Sequence, residues 1–154
     1  MRYYRIMSED HYKTPLGCSY NAGRWNPKGT GMLYASSTPS GSLLEYMCIK
    51  GGTVALSSWF MIVFEIVDTA MIGVLEPEYL PAQWNALPHG RATQNFGNEW
   101  LQQKEFPFLR VPSARLNIAF YPEEHNLLIN PDFPSLPSLL KVTDSIPFTY
   151  LLGM

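Results

Sequence analysis

Trp59-Phe60-Met61-Ile62-Val63-Phe64-Glu65-Ile66 is rich in aromatic and β-branched side chains and apolar on both alternating faces, so it reads as a central strand covered on both sides. Working upstream, Thr38 followed by Pro39 marks a helix start: a capping hydroxyl, then the residue best tolerated at the first helical position. That helix is expected to run to about Lys50 and to end at Gly51-Gly52. Leu43, Leu44, Met47 and Cys48 form its apolar stripe, while Glu45 lies to the side and is free to face a cleft. Met32 to Ser36 reads as a short strand before it, and Arg2 to Ile6 as a first strand.

Downstream, Met71 to Leu75 is expected to pair beside the central strand. Thr93 to Lys104 reads as a second helix carrying Phe96, Trp100 and Leu101, followed by a strand from Phe108 that ends at Ser113. Further strands are expected at Leu127 to Ile129, Leu139 to Val142 and Phe148 to Leu152. Six to eight strands with two or three helices is an α+β pattern. Nothing in the 154 residues marks a linker or a repeat, so one domain over residues 1–154 is expected. The 13 prolines and 11 glycines are scattered, as in a chain of short elements joined by many turns.

A formal charge of −2 and a pI of about 5.9, without any Lys/Arg run, give no electrostatic footprint for nucleic acid or an anionic membrane surface. The longest wholly apolar run, Trp59 to Phe64, is far below the roughly 20 residues needed to span a bilayer. Arg2-Tyr3-Tyr4-Arg5-Ile6 leads into Ser8, Glu9, Asp10 and His11 rather than an export signal, so a cytoplasmic protein is expected. Cys18 and Cys48 lack any CxxC spacing and read as free, buried or half-buried thiols. His11, His89 and His125 lie in unrelated stretches, and no metal site is expected.

The densest chemical cluster is Gly23-Arg24-Trp25-Asn26-Pro27-Lys28-Gly29, a guanidinium inside a Gly- and Pro-punctuated loop, where Arg's planar fork suits a bidentate grip on phosphate. An ordinary surface loop anchored by Trp25 is the alternative. Tyr34 offers a phenol that stacks on a flat heterocycle, or else a core tyrosine. Glu45, bordering an apolar helix face, is either a site acid or a solvated carboxylate. Ser113 follows the stiff Val111-Pro112 pair at a strand end. With no G-x-S-x-G motif nearby, it reads as a hydrogen-bonding residue or a turn serine rather than a nucleophile.

Taken in order, these pieces resemble the RES domain, the toxin half of the RES-Xre class of bacterial toxin–antitoxin systems. The resemblance rests on Tyr4-Arg5-Ile6, Gly23-Arg24-Trp25-Asn26-Pro27-Lys28-Gly29-Thr30, Leu33-Tyr34-Ala35-Ser36, Leu43-Leu44-Glu45, Thr93-Gln94-Asn95-Phe96-Gly97 with Trp100, Val111-Pro112-Ser113-Ala114 and Asn126-Leu127-Leu128-Ile129-Asn130-Pro131. It covers almost the whole chain. The family's Arg, Glu and Ser fall on Arg24, Glu45 and Ser113, with Tyr34 as the accompanying aromatic. One departure is the segment from Ile146 to Met154, which lacks the Phe-Asp-x-Arg-Leu-like ending of the family.

The resemblance implies a compact fold similar to ADP-ribosyltransferase toxins, with a cleft that takes NAD+ as substrate and no tightly bound cofactor. It implies catalytic roles for Arg24, Tyr34, Glu45 and Ser113, and dinucleotide contacts from Arg5, Arg24, Trp25, Asn26, Lys28 and Tyr34. The implied reaction cleaves the nicotinamide–ribose bond by hydrolysis or, with inorganic phosphate as co-substrate, phosphorolysis; Lys28 or Arg5 would then supply the phosphate subsite. The rival readings are transfer of ADP-ribose to a host protein, and a non-catalytic nucleotide-binding module. The implied partner is an Xre-like antitoxin that blocks the cleft in a hetero-oligomeric complex and brings the DNA binding this acidic chain lacks.

Overall fold

A computed structural model describes residues 1–153; Met154, at the end of the atypical C-terminal segment, lies outside the described residues. Seven strands form one sheet: β1 (Arg2–Ser8), β2 (Leu33–Ser36), β3 (Trp59–Ile66), β4 (Ile72–Val74), β5 (Phe108–Val111), β6 (Asn126–Ile129) and β7 (Leu140–Phe148), in the spatial order β4-β5-β6-β2-β1-β3-β7. Three helices accompany it, α1 (Pro39–Lys50), α2 (Arg91–Gln103) and the one-turn α3 (Leu136–Leu139). All neighbouring strands are antiparallel except β4 and β5.

As its composition predicts, β3 is covered on both faces: Ile62, Phe64 and Ile66 join one core cluster, Trp59 and Met61 another. Two expectations change. Residues 71–75 pair not beside β3 but in parallel with β5, at the far edge of the sheet. The strand expected at 139–142 continues as β7, which follows β3 from Leu140 to Phe148 through a bulge at Val63/Phe64, and the separate strand expected at 148–152 does not form, residues 149–152 having no strand structure. The bulge absorbs the one-residue slip that an uninterrupted nine-residue strand would otherwise carry into the pairing.

The sheet is joined unevenly. β1 and β3 are in register at seven positions from Arg2↔Glu65 to Ser8↔Trp59, whereas β1 and β2 meet at one, Tyr4↔Ser36. Beyond that pair the two strands part. On the face shared by Tyr34, Ser36 and Tyr4, α1 packs Leu43 and Tyr46 against Ile6, Trp59 and Met61, while α2 packs Trp100 and Leu101 against Leu109 and Leu128. The opposite face buries Tyr3, Leu33, Phe64, Phe108, Leu127 and Ile129 under Tyr12, Leu16 and Leu136. Burying each such side chain contributes roughly 1.5–3 kcal/mol.

Local signals set the helix ends. Thr38 Oγ1 accepts the Gly41 N–H at 2.9 Å and donates to Glu124 Oε2 at 3.1 Å, fixing the start of α1 at Pro39. Only Ser42 of α1 is buried; of the expected stripe Leu43 packs against the core, Leu44 and Met47 are half-buried, and Cys48 is exposed. Cys18 is half-buried. No helix among the described residues is long and apolar enough to cross a membrane.

α2 approaches the loop after Ala22 so closely that a Cβ on Gly97 would lie 1.7 Å from the Trp25 carbonyl oxygen. Gly97→Ala therefore forces helix and loop apart. Overpacking of this kind costs about 3 kcal/mol, so thermal denaturation should show Tm lower by roughly 10 °C; an unchanged Tm would mean that the contact is not tight. A second stability test concerns His125, buried with Nδ1–H donating to the Pro122 carbonyl at 2.7 Å and Nε2 facing the Tyr3 hydroxyl at 2.9 Å. Burial lowers its pKa, so the folded state prefers the neutral ring. Its contribution is complete above the unfolded histidine value of about 6.5 and is lost as pH falls through the lower folded value. Tm should drop more steeply below pH 6.5 in the parent than in His125→Asn.

Candidate active site

The parting of β1 from β2 opens a cleft of about 810 Å³ lined by Arg5 to Ser8 on one side and Tyr34 to Ser36 on the other, within the usual range for small-molecule sites. α1 supplies Ser42, Glu45 and Tyr46 to its wall, and the segment after β5 supplies Pro112, Ala114 and Arg115.

Glu45 is the most constrained group there. Its Oε1 accepts from the Ser113 hydroxyl and from Asn126 Nδ2 at 2.8 Å. Asn126 in turn accepts from Ser36 Oγ at 3.0 Å, and Ser113 Oγ accepts the Arg115 backbone N–H at 3.1 Å. The carboxylate is thus tied to the ends of β2, β5 and β6, segments that the sheet register brings side by side through Ser36↔Asn126 and Asn126↔Val111. Both donors meet the same oxygen, so Oε2 stays available to the cleft.

Arg24 faces the same space. Its Nη1 donates to the carbonyls of Trp84 at 2.8 Å and Ala86 at 2.9 Å, which leaves Nε and Nη2 to the cleft. Burial lowers the guanidinium pKa, Arg115 pushes the same way, and Glu45 and Tyr34 oppose the shift. The Tyr34 hydroxyl donates to Asn26 Oδ1 and accepts the Trp25 N–H at 3.1 Å. Burial raises its pKa strongly, so the phenol stays protonated and acts as a brace, with its ring on the cleft wall. A Cβ at Gly23 would stand 2.6 Å from both the Tyr34 hydroxyl and Asn26 Oδ1, so only glycine lets the loop close over this pair.

Arg24, Tyr34 and Glu45 line one cleft, and Ser113, buried and not itself a lining residue, joins them through its hydrogen bond to Glu45. The supporting residues distribute differently. Trp25 sits in the core at 2% exposure, edge-on to Phe96, where its indole anchors the loop, and it is also among the residues lining the cleft. Asn26, 1% exposed, donates to the carbonyls of Asn21 and Thr30 and shapes the loop from within. Arg5 lines the cleft but donates to the carbonyls of Pro15 and Gly17 at 2.9 and 3.0 Å. Lys28 is exposed and is not among the residues lining the cleft.

Asn126, Ser36, His89 and Arg115 were not legible as site residues. Asn126 carried a signal, a polar residue opening an apolar strand; His89 and Arg115 carried none, because only the fold brings residues 24, 89 and 115 together. Among the described residues, no group of three His, Cys, Asp or Glu could hold a metal ion.

This architecture is of the α+β class, one mixed sheet with a few helices. It matches a chain of the M. tuberculosis MbcT–MbcA toxin–antitoxin complex with a TM-score of 0.68, over 96% of this chain and 84% of that one, at 15% identity, a likeness of fold. The chain belongs to the RES domain family, whose model matches residues 2–151. It is 30% identical over 153 residues to the Toxin Res of Yersinia enterocolitica serotype O:8, covering 97% of each chain. It is also 35% identical over 121 residues to the Prs ADP-ribosylating toxin of a Sphingobium species, covering 77% of this chain and 71% of that one. The fold is shared with a chain of that toxin–antitoxin complex, and the relatives in this family are named as toxins.

Asn126→Ala removes two buried hydrogen bonds from this network and leaves the Glu45 carboxylate with one donor. A loss of about 2 kcal/mol should lower Tm by roughly 4–8 °C, and Ser36→Ala by about half as much. Equal melting of all three proteins would show that the network does not hold Glu45.

Proposed function

We propose that this RES-domain toxin consumes NAD+ by breaking its nicotinamide–ribose bond. The observation that carries the reading is a carboxylate, Glu45, that lines a dinucleotide-sized cleft together with Arg24 and is fixed through one oxygen by Ser113 and Asn126. Nicotinamide is a cationic leaving group in NAD+. When its C–N bond breaks, the electron pair leaves with the neutral ring and positive charge develops on the ribose. Glu45 stabilises that charge and orients a ribose hydroxyl, a preorganised electrostatic effect worth roughly 3 kcal/mol, or about a hundredfold in rate.

Arg24 holds the diphosphate through the donors left free by the 84–86 loop, and the Tyr34 ring packs against the nicotinamide. Ser113 acts through Glu45, since its proton is committed to that carboxylate. Water or inorganic phosphate then adds to the ribose carbon and gives up a proton to solvent.

A second reading is favoured by the Sphingobium relative, named for ADP-ribosylating Prs: the same cleft would pass ADP-ribose to a protein side chain instead. The fold shared with the M. tuberculosis complex supports a cognate antitoxin that covers the cleft. An Xre-like partner with its own DNA-binding part accords with the chain's acidic balance, and the cytoplasm, where the NAD+ pool lies, is the proposed site of action.

Mass spectrometry of products from purified protein and NAD+, with and without phosphate and with a lysate as protein acceptor, tests this directly. Free nicotinamide should appear with ADP-ribose, a phosphorylated ADP-ribose or labelled protein, and the second product names the acceptor. Glu45→Gln should lower nicotinamide release at least a hundredfold while Tm stays within a few degrees. Intact NAD+ in all conditions would leave a binding module as the better account, and full activity in Glu45→Gln would remove Glu45 from the mechanism.

A further inference from the structure

The charges lining the cleft are lopsided. Arg5, Arg24 and Arg115 line it with His11 and His89, and Glu45 is the one acid among its described lining residues, in a chain of formal charge −2. Arg5 is engaged by two backbone carbonyls. Arg24, His89 and Arg115 arrive from three separate segments: the loop before β2, the loop before α2 and the turn after β5.

These three feel one another. After burial, the next influence lowering the Arg24 pKa is Arg115, and burial, Arg24 and Arg115 in that order lower that of His89. Gathering like charges is unfavourable unless an anion joins them. Glu45 offers one negative charge and already accepts two hydrogen bonds. The cluster is also built in place. The Arg115 backbone N–H holds the Ser113 hydroxyl that holds Glu45, and Arg24 secures the 84–86 stretch leading to His89.

We propose that Arg115, with His89 beside it, forms a second phosphate subsite across from Arg24, so that a phosphate-type dianion is gripped between two guanidinium groups next to Glu45. This rests on the NAD+ reading for the identity of the substrate but not for the presence of the subsite. The phosphate has two sources, the diphosphate of the dinucleotide or free inorganic phosphate attacking the ribose carbon.

Calorimetric titration of the whole protein with inorganic pyrophosphate tests the subsite without any turnover. The parent should bind it, Arg115→Ala roughly tenfold or more weakly, as expected for losing one charge-assisted contact, and Arg115→Lys should recover part of the loss. Equal affinity in parent and Arg115→Ala, or no binding by the parent, overturns the subsite even if NAD+ is cleaved. Circular dichroism melts of the same samples separate lost binding from lost fold. Kinetics then distinguish the source. A KM for NAD+ raised about tenfold in Arg115→Ala without phosphate, with kcat within twofold, assigns the subsite to the diphosphate. An unchanged KM for NAD+ with a phosphate dependence displaced to higher concentration assigns it to the attacking phosphate. A protein that binds pyrophosphate through Arg115 yet leaves NAD+ intact would retain the subsite and discard the reaction.

Discussion

The sheet is held across its middle by the single pair Tyr4↔Ser36, and the site depends on how little that join extends. An antiparallel ladder continued past this pair would set Arg5 opposite Ala35 and Ile6 opposite Tyr34. Those residues instead line the two walls of the cleft. β1 tolerates the parting because β3 pairs with its other edge along its whole length, and β2 because β6 pairs with all four of its residues. The join itself is reinforced by side chains, since Ser36 stands at the pair and starts the hydrogen-bond chain through Asn126 to Glu45.

That chain decides the character of Glu45. Two donors on one oxygen hold the carboxylate in a fixed direction, at a cost of ordering that the strand ends have already met. A network of this kind gains from the low local dielectric only while every member is satisfied. Ser113 and Asn126 are therefore as much a part of the acid as its own side chain, and their positions follow from where β5 ends and β6 begins.

What the sequence disclosed and what it hid divide along chain separation. Thr38-Pro39, Gly51-Gly52 and the apolar run of β3 are local signals, read over a few residues, and they locate α1 and β3 within a residue or two. The Arg, Tyr, Glu and Ser of the family motifs were visible because their order is a pattern in its own right. β7 was divided because Asp144, Ser145 and Pro147 interrupt its apolar pattern, although an exposed edge strand needs no such pattern. β4 was misplaced because parallel pairing with β5 is a choice between distant segments. Lys28 and Trp25 neighbour Arg24 in the chain, yet successive residues in a loop face different ways: Lys28 is exposed, while Trp25 is buried and reaches the cleft wall. Arg115 and His89 were invisible for the converse reason: they neighbour Arg24 only in space.

The Arg24 loop shows why the site is ready before a ligand arrives. Its backbone is gripped from one side by Tyr34, which accepts the Trp25 N–H, and from the other by α2, where Gln94 Nε2 donates to the Gly23 carbonyl at 3.1 Å and Gly97 lets the Trp25 carbonyl press against the helix. Trp25 then locks the loop into the core below. An arginine on a free loop would lose conformational entropy on meeting phosphate; here most of that ordering is completed by folding. On the proposed reaction the same logic applies to Glu45, which is fixed before a charge would develop on a sugar, and a catalyst gains most from charges that need not reorganise at the transition state. In this fold the two groups of opposite sign are held by separate sets of contacts, one from α2 and β2, the other from the ends of β2, β5 and β6, so ordering one does not depend on the other.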